Sequence, residues 1–381
     1  MTGSVVALAG FGLLASVNLA SLVIAGMRLR RRARLPASHA QPVSIVCPLC
    51  GLEPFLEETL ANAFALDHPD YELLFCVERA NDPAIPVVRR LMAAHPERAS
   101  RLLIGSEAVS GNPKLNNCVK GWAAARHDWV VLVDSNVLMP PDYLEHLLSR
   151  WRADTGLVCS TPLGTRPEGF WATIECAILN THQVRWQYVG EGVGLGFAQG
   201  KSMLWHRPFL EAHGGIRALG AEIAEDAAAT KLVRRAGRRV HLVNSPFEQP
   251  IGRRRAAQVW QRQLRWARLR RITFPAFYAP EVAAGLPLAL LLCIVGSISA
   301  GLDPLLAAAA LTVCWYGLEA ALAAVKGWPV SWLMLLAFPA RDVTILGVWL
   351  LGWTTGDTVW RGNVLPLGSK ADRPPVSREA Y

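Results

Sequence analysis

Long apolar segments at the two ends of the chain constrain its fold more than any other feature of the sequence. The first, VVALAGFGLLASVNLASLVIAGM (residues 5–27), contains no charged residue. As a helix it is long enough to cross the ~30 Å hydrocarbon core of a bilayer. RLRRRARL follows it directly, whereas a signal peptide has its positive charge before the apolar stretch. We therefore predict a retained transmembrane anchor over 1–27 and, from the positive-inside rule, a basic cytoplasmic linker over 28–41.

Three further apolar runs, 281–302, 305–325 and 328–353, lie near the C-terminus. The first two are long enough to span a bilayer, although Glu319 interrupts the second. The third has Pro339, Arg341 and Asp342 near its middle, and the sequence leaves open whether it is one span or an interfacial helix followed by a short span. We predict a C-terminal membrane region over 279–356 and a polar tail over 357–381, disordered from residue 366.

Charge and cysteine usage exclude other classes of protein. The net charge of +9 comes largely from arginines at 28–34 and 253–271, beside apolar runs, which suits an anionic membrane face. Nucleic-acid binding is disfavoured, because no basic stripe with interleaved aromatic residues occurs elsewhere. The eight cysteines lack paired spacing and are typical of small buried residues in a reducing compartment. Cys47 and Cys50 form a C-x-x-C, but the second pair of a zinc site is missing.

Between the apolar ends, β-rich runs alternate with runs of helical periodicity. The helical runs are EPFLEETLANAFAL, DPAIPVVRRLMAAH and NPKLNNCVKGWAAARH. The strand candidates are VSIVCPL (43–49), YELLFCV (71–77), RLLIG (101–105) and WVVLVD (129–134). Because these strands are continuously apolar, they indicate a doubly wound, mostly parallel α/β sheet, whose ligands bind at the carboxyl ends of the strands. We place this domain at 42–278, with HLVN (241–244) as a final edge strand.

Two aspartates follow strands of this sheet. Asp134 ends WVVLVD, where a carboxylate can hold a divalent cation against a diphosphate. It can equally be a turn or N-cap residue before PPDYLEHL. Asp82, in RANDPAI, lies at the same edge of the sheet, and an aspartate before Pro is also an ordinary helix N-cap. Two acids at neighbouring strand ends fit a site for a metal and a nucleotide.

Two helix N-termini and one basic helix supply further candidates. Asp226 begins the helix AEDAAATKLVRRAG (224–237), where it can be a general base or an acid favoured by the helix dipole. Lys114 and Asn116, in GNPKLNN, can bind phosphate or ribose or form a solvated first turn. The helix QVWQRQLRWARLRR (258–271) contains the motif R-x-x-R-W, formed by Arg262, Arg265 and Trp266. The two arginines lie on one helical face and can hold a phosphate.

These motifs, in this order, resemble the pattern of the ceramide glucosyltransferase family, which has three aspartates and (Q/R)-x-x-R-W on a GT-A fold. The resemblance rests on NDPAI, VDSN, AED and R-x-x-R-W, and it extends from the N-terminal anchor to about residue 361. It includes the stretches VSIVCPLCGLEP, CVERANDPAI, GNPKLNN and RQLRWARLR. One departure is that D-S-N replaces the common D-x-D, so Asn136 supplies a neutral ligand or none.

The resemblance implies a role for each matched residue. Asp226 is implied as the catalytic base, and Asp82 as a ligand of the uridine diphosphate. Asp134 is implied at the metal–diphosphate site, with Mn or Mg as the cation. The implied clamp on the leaving group and acceptor is formed by Arg262, Arg265 and Trp266. His182, in NTHQVRW, matches a histidine of the pattern near the sugar or diphosphate, or is an ordinary loop histidine.

We therefore expect an inverting membrane glycosyltransferase that moves glucose from UDP-glucose to a hydroxyl of ceramide. The alternatives keep this chemistry and change the acceptor to diacylglycerol or a hopanoid, or the sugar to glucuronate or N-acetylglucosamine. A polymerising synthase is disfavoured because only two or three apolar spans follow the catalytic region. An inert nucleotide-binding scaffold is disfavoured because all three aspartates are present. Alanine and arginine usage favours a bacterial inner membrane, with the catalytic domain in the cytoplasm.

Overall fold

Residues 2–36, 38–354, 358–360 and 363–365 are described by the structure, which is a computed structural model. The chain forms two compact units. The helical unit comprises Met1–Arg31, Gly164–Gly192 and Ile251–Gly356. The sheet unit comprises Arg32–Leu163, Val193–Pro250 and Asp357–Tyr381. The domain boundaries predicted from the sequence stay a prediction, and the predicted disordered tail lies outside the described residues.

The α-helices and strands are as follows. The strands are β1 (Val43–Leu49), β2 (Tyr71–Val77), β3 (Ser100–Ile104), β4 (Trp129–Val133), β5 (Thr155–Ser160), β6 (Pro162–Glu168), β7 (Ser202–His206), β8 (Arg239–Leu242), β9 (Phe247–Arg253), β10 (Thr358–Trp360) and β11 (Asn363–Leu365). The α-helices are α1 (Thr2–Arg28), α2 (Leu56–Phe64), α3 (Ala84–Ala94), α4 (Pro113–Ala124), α5 (Tyr143–Leu148), α6 (Phe170–Ala177), α7 (Arg185–Gly192), α8 (Arg207–Glu211), α9 (Glu225–Arg235), α10 (Ala256–Thr273), α11 (Pro275–Tyr278), α12 (Leu286–Ser299), α13 (Pro304–Lys326) and α14 (Trp332–Gly352). A π-helix (Ile178–Val184) joins α6 to α7, and 3₁₀ helices cover Ile216–Ala221 and Ala279–Ala284.

A seven-stranded sheet forms the centre of the sheet unit, in the order β3-β2-β1-β4-β7-β5-β8. β3, β2, β1 and β4 are parallel, and Ile45 in β1 lies opposite Leu73 in β2 and Val131 in β4. β7 is antiparallel to both of its neighbours, whereas β5 and β8 are parallel. The mostly parallel sheet is therefore confirmed, and β8 is at its edge.

Apolar side chains on both faces explain why these segments form the interior of the sheet. Every residue of β2 and β5 is buried, and helices cover the sheet through their apolar residues, such as Leu60 in α2 and Val88 in α3. α4 begins at a proline, which suits the first turn of a helix. Sequence predicted α9 well, because acids occupy its first turn, arginines its last, and Gly237 beyond it has φ +67°.

Among the residues that the structure describes, three helices of the helical unit are long and apolar enough to cross a membrane: α1, α13 and α14. The chain is therefore a membrane-associated protein. The stretch 328–353 contains one continuous helix, which answers the question that the sequence left open. The stretch 281–302, predicted to be long enough to span, is not one straight helix. Residues 275–284 and α12 meet at a 54° bend, because Gly285 has an extended backbone, and together they can form a fourth span.

Charged side chains are buried inside the helical unit, where they form what we call the ion cluster: Arg185, Glu319, Arg341 and Asp342. Glu319 in α13 lies 3.1 Å from Arg185 Nη1 and 2.6 Å from Arg341 Nη1. Arg341 Nη2 also lies 2.8 Å from Asp342 Oδ1, and Asp342 Oδ2 accepts a hydrogen bond from Leu286 N. The cluster thus joins α7, α12, α13 and α14 of this unit.

No disulfide joins the eight cysteines, all of which lie in the described part of the chain. Most are buried, as predicted, with burial raising the pKa of Cys76 to about 12. Cys50 and Cys314 are exposed instead, so the prediction was wrong for these two. Cys50 falls outside the core because the strand β1 ends at Leu49.

Candidate active site

Asp134 follows β4 at the carboxyl edge of the sheet and is held by two lysines. Lys114 Nζ lies 2.7 Å from one carboxylate oxygen and Lys201 Nζ lies 2.8 Å from the other. Lys201 also donates to Asn136 Oδ1 at 3.0 Å. It reaches this position because β7 pairs antiparallel with β4, and the N–H of Asp134 donates to the Lys201 carbonyl. The carboxylate is therefore fixed from two sides by positive charge.

Lys114, at the start of α4, joins the end of β4 to the start of α9. Its ammonium lies 2.7 Å from Glu225 Oε1 and also donates to the carbonyl of Gly200. The other oxygen of Glu225 accepts from Asn112 Nδ2 at 2.6 Å. Glu225 is thus fully engaged by a lysine and an amide.

Asp226 lies next to Glu225, but among the residues that the structure describes its carboxylate accepts hydrogen bonds only from backbone N–H groups. Oδ2 accepts from Gly200 N at 3.2 Å and Oδ1 from Ala227 N at 2.8 Å. A side chain at position 200 would displace neighbouring side chains, because a Cβ there would lie 2.7 Å from Glu225 Oε1 and 3.1 Å from Lys114 Nζ. Glycine thus lets the backbone approach the carboxylates without moving them. We call Lys114, Asp134, Gly200, Lys201, Glu225 and Asp226 the acid–lysine cluster.

The surroundings of the two aspartates shift their pKa values in opposite directions. Burial, reinforced by the neighbouring charge of Glu225, raises the pKa of Asp226 to about 7 in spite of Lys114. Burial also opposes ionisation of Asp134, but Lys114 and Lys201 outweigh it and hold its pKa well below the ordinary value. The charges of Asp134 and Glu225 overcome burial of Lys114 and raise the pKa of its ammonium. At neutral pH Asp134 is ionised, whereas Asp226 can exchange a proton.

The acid–lysine cluster does not fit a divalent cation held by side chains. Both oxygens of Asp134 already face ammonium groups, which cannot be metal ligands and which repel a cation. In the part of the chain that the structure describes, no three His, Cys, Asp or Glu side chains are grouped as a metal site. The metal-binding role predicted for Asp134 stays a prediction that these contacts do not favour.

Asp82 and Asn116 make structural contacts within the sheet unit. Asp82 follows β2 and accepts hydrogen bonds from Gly51 N, at 3.1 Å to each oxygen, and from Ala84 N at 2.8 Å. It thus ties the loop after β1 to the start of α3. Asn116 Oδ1 accepts from the N–H groups of Val109 and Ser110 and closes the loop before α4. Nucleotide binding by Asp82 and Asn116 stays a prediction.

The remaining predicted residues belong to the helical unit. Arg262 on α10 pairs with the buried Glu175 at 2.5 Å, and its guanidinium lies 5.9 Å from the Trp266 ring centre. Glu175 lies 3.3 Å from Arg254 as well, so it orients two arginines. Trp266 packs against an apolar core, and Arg265 is half-buried on the same helix.

His182 lies in the π-helix and is neutral. Burial, together with the charges of Arg341, Arg185 and Arg270, holds its pKa well below the ordinary value. π-Helices are rare and are frequent at functional sites. Its predicted contact with the sugar or diphosphate stays a prediction.

Sequence reasoning missed four residues that shape these contacts. Lys201 and Gly200 lie in the glycine-rich stretch 190–203, whose run GK just before a strand was a usable signal. Glu225 looked like an acid favoured only by the helix dipole. Glu175 is a single acid in the apolar helix FWATIECA, and a lone buried charge implies a partner.

Comparison with known proteins gives a consistent result. The family model for glycosyl transferase family 21 matches residues 13–372. Ceramide glucosyltransferase 1 of Caenorhabditis elegans is 29% identical over 241 residues, which cover 63% of this chain and 52% of that protein. Ceramide glucosyltransferase of Komagataella phaffii is 36% identical over 115 residues, or 29% of this chain and 23% of that protein. The chain thus spans about half the length, or less, of these relatives.

A solved structure of similar fold is a mannosyltransferase from Pyrobaculum calidifontis in complex with GDP-Man and Mn2+. It superposes with a TM-score of 0.53 at 17% identity and covers 89% of this chain and 98% of its own. At this identity the likeness shows the fold alone, and it confirms the predicted GT-A type.

Proposed function

The chain belongs to glycosyl transferase family 21, and from this premise we propose that it transfers glucose from UDP-glucose to a hydroxyl of ceramide with inversion, giving a β-glucosyl lipid. The ceramide glucosyltransferases among its relatives support this choice of sugar and acceptor. The alternative acceptors, diacylglycerol or a hopanoid, and the alternative sugars, glucuronate or N-acetylglucosamine, differ from it in specificity and not in chemistry.

The position of Asp226 is the observation that carries the proposal. A single-displacement reaction needs one carboxylate that accepts the proton of the acceptor hydroxyl. Asp226 fits this role because its pKa lies near 7 and because, within the described part of the chain, it has no salt-bridge partner. Glu225 is unsuited to it, since Lys114 and Asn112 occupy its oxygens.

The proposed reaction is one displacement at the anomeric carbon. The acceptor oxygen attacks as its proton passes to Asp226, and the bond to the diphosphate of UDP breaks on the opposite face of the sugar. Positive charge stabilises the diphosphate as it leaves. Lys114 and Lys201 can supply that charge at the carboxyl edge of the sheet. Arg262 and Arg265 are proposed to bind phosphate, as the R-x-x-R-W motif implies. No step is assigned to a cation.

We propose further that the acid–lysine cluster functions in the cytoplasm at a bacterial inner membrane. The arginines at 28–34, which follow α1 directly, support this orientation through the positive-inside rule. This orientation can be tested by replacing the exposed Asp70 with cysteine and labelling that cysteine in intact cells and in inverted membranes. Reaction with an impermeant maleimide only in inverted membranes is the expected result, and labelling of intact cells would contradict it.

Replacement of the base tests the function. Protein purified in detergent is supplied with UDP-glucose and ceramide, and the lipid product and its anomeric configuration are determined by mass spectrometry and NMR. We expect Asp226→Asn to lower kcat by roughly 10²–10⁴-fold, as for loss of a general base, while UDP still binds. Asp70→Asn, an exposed acid just before β2, is the matched control and should keep the wild-type rate. Normal turnover by Asp226→Asn would show that another group is the base.

A further inference from the structure

Two glutamine side chains of the helical unit form a partly buried pair with unused hydrogen-bonding capacity. Gln183, at the end of the π-helix, donates from Nε2 to Gln263 Oε1 on α10 at 3.2 Å. Gln263 is only 4% exposed. Gln183 Oε1 and Gln263 Nε2 are both buried and, among the residues that the structure describes, both lack a hydrogen-bond partner.

The two unused atoms are complementary to one kind of ligand. Buried polar atoms without partners destabilise a protein, and native structures keep few of them unless a ligand or water completes the site. The pair leaves one carbonyl acceptor and one N–H donor, and it leaves the same two groups if the direction of its own hydrogen bond is reversed. A secondary amide offers one N–H and one C=O, which match these groups.

The location of the pair connects it to the acceptor. Gln263 lies inside the R-x-x-R-W stretch, directly after Arg262, and Gln183 directly follows His182. The same unit contains the helices long enough to span a membrane, so a ligand that binds there is amphipathic. A lipid with an N-acyl group has both the amide and the apolar chains.

We propose that Gln183 and Gln263 bind the secondary amide of the acceptor lipid. Gln183 Oε1 accepts from the amide N–H, and Gln263 Nε2 donates to the amide carbonyl. The inference rests on the proposed function, since it takes ceramide as the acceptor, and adds the residues that distinguish an amide lipid from an ester lipid. Diacylglycerol lacks the N–H and would leave Gln183 Oε1 buried without a partner.

Two acceptor lipids that differ only at the amide nitrogen test the inference without any change to the protein. The purified protein is supplied with UDP-glucose and either a short-chain ceramide or its N-methyl analogue, which keeps the hydroxyls and the carbonyl but has no amide N–H. We expect kcat/KM for ceramide to be roughly tenfold or more above that for the analogue, since one buried hydrogen bond is lost.

Two variants and a control assign the effect to the pair. Gln183→Met and Gln263→Met keep side-chain length and remove the amide. Gln183→Met should reduce the preference for ceramide to near unity, whereas Gln263→Met should lower kcat/KM for both lipids, because both lipids keep the carbonyl. Gln261→Met, on the exposed face of the same helix, should keep the wild-type preference. Equal kcat/KM for the two lipids in the wild type, or an unchanged preference in Gln183→Met, overturns the inference alone. Failure to glucosylate any ceramide overturns the proposed function and the inference together.

Discussion

Asp134 and Asp226 show how two acids of one cluster acquire different chemistry. Both are partly buried near Lys114, which pairs directly with Asp134. Asp134 has a second lysine against its other oxygen, whereas Asp226 has the carboxylate of Glu225 beside it. The first acid therefore stays ionised at all physiological pH values, and the second titrates near neutrality. Pairs of acids whose pKa values are moved apart in this way are typical of acid–base sites.

The raised pKa of Asp226 predicts a pH-dependent rate. A base acts only when it is deprotonated, so kcat/KM should rise about tenfold per pH unit below pH 7 and level off above it, given a pKa of about 7. Initial rates of glucosylation between pH 5.5 and 8.5 at fixed detergent and salt check this. A profile that is flat across this range, or that falls as pH rises through 7, would contradict the assignment of Asp226 as the base.

The two lysines on Asp134 predict how UDP binding responds to metal removal. Because ammonium groups occupy the oxygens that a cation would need, chelation should weaken UDP binding to the wild type by less than about tenfold. Lys201→Ala frees Asp134 Oδ2 and Asn136, so its affinity for UDP should depend more strongly on added Mn2+. Titration calorimetry with EDTA or Mn2+ measures both.

Lys231→Ala is the control for loss of one positive charge. It removes a lysine of α9 that pairs with Glu222. It should respond to Mn2+ as the wild type does. Complete loss of UDP binding by the wild type in EDTA would show that a cation displaces the lysines from Asp134.

Among the secondary structure elements, α4 connects helix stability to the cluster. Asn112 is its N-cap and accepts from the N–H groups of Lys114 and Leu115, while its Nδ2 holds Glu225. One residue thus fixes both the first turn of α4 and the first turn of α9. Its neighbour Lys114 depends on that turn for its position.

Loss of this cap should affect stability and activity together. Asn112→Ala removes the cap and should lower the free energy of unfolding by about 1 kcal/mol, and it should also lower kcat, because Glu225 and Lys114 lose their fixed geometry. Chemical denaturation and steady-state rates give the two values. Asp303→Ala removes the equivalent cap of α13 and should cost similar stability without the loss in kcat. Equal kcat for Asn112→Ala and the wild type would contradict the link.

The local sequence pattern predicted the helices and strands well, but it did not predict the order of the strands in the sheet. Continuous apolar runs located β1 to β4, and end signals located α9, because both depend on residues adjacent in sequence. The insertion of β7 between β4 and β5 depends on contacts far apart in the chain, so nothing local indicated that Lys201 would reach Asp134. The aspartates Asp134 and Asp226 were found because they lie at element ends. Lys201 lies opposite Asp134, and Glu175 lies opposite Arg262, only in the folded chain.

Over the whole molecule, the ion cluster is the main polar feature among apolar helices. Arg341 contacts Glu319 and Asp342, and it donates to Thr181 in the π-helix. Removing one partner of a buried ion pair leaves the other charge uncompensated, which is strongly destabilising. The cluster therefore holds α13, α14 and the π-helix in one arrangement.

A substitution in the cluster should unfold the helical unit more easily. Arg341→Met should lower stability in detergent by about 3–5 kcal/mol and lower the apparent Tm, because Glu319 and Asp342 then lose a buried counter-ion. Arg235→Met, an exposed arginine at the end of α9, should leave the Tm near the wild-type value. Thermal unfolding followed by tryptophan fluorescence compares them. A Tm equal to that of the wild type for Arg341→Met would show that the cluster contributes little.

The same buried charges set an order for biogenesis. Each central Asp, Lys or Arg adds about 2.5–3.5 kcal/mol to the transfer of a helix from the translocon into lipid. α14 contains two such residues, and α13 contains Glu319. Arg185 is synthesised earlier, so a counter-ion for Glu319 is already present when α13 leaves the ribosome, and Arg341 meets Glu319 as α14 follows. We therefore expect α13 and α14 to enter lipid as partners of segments made before them.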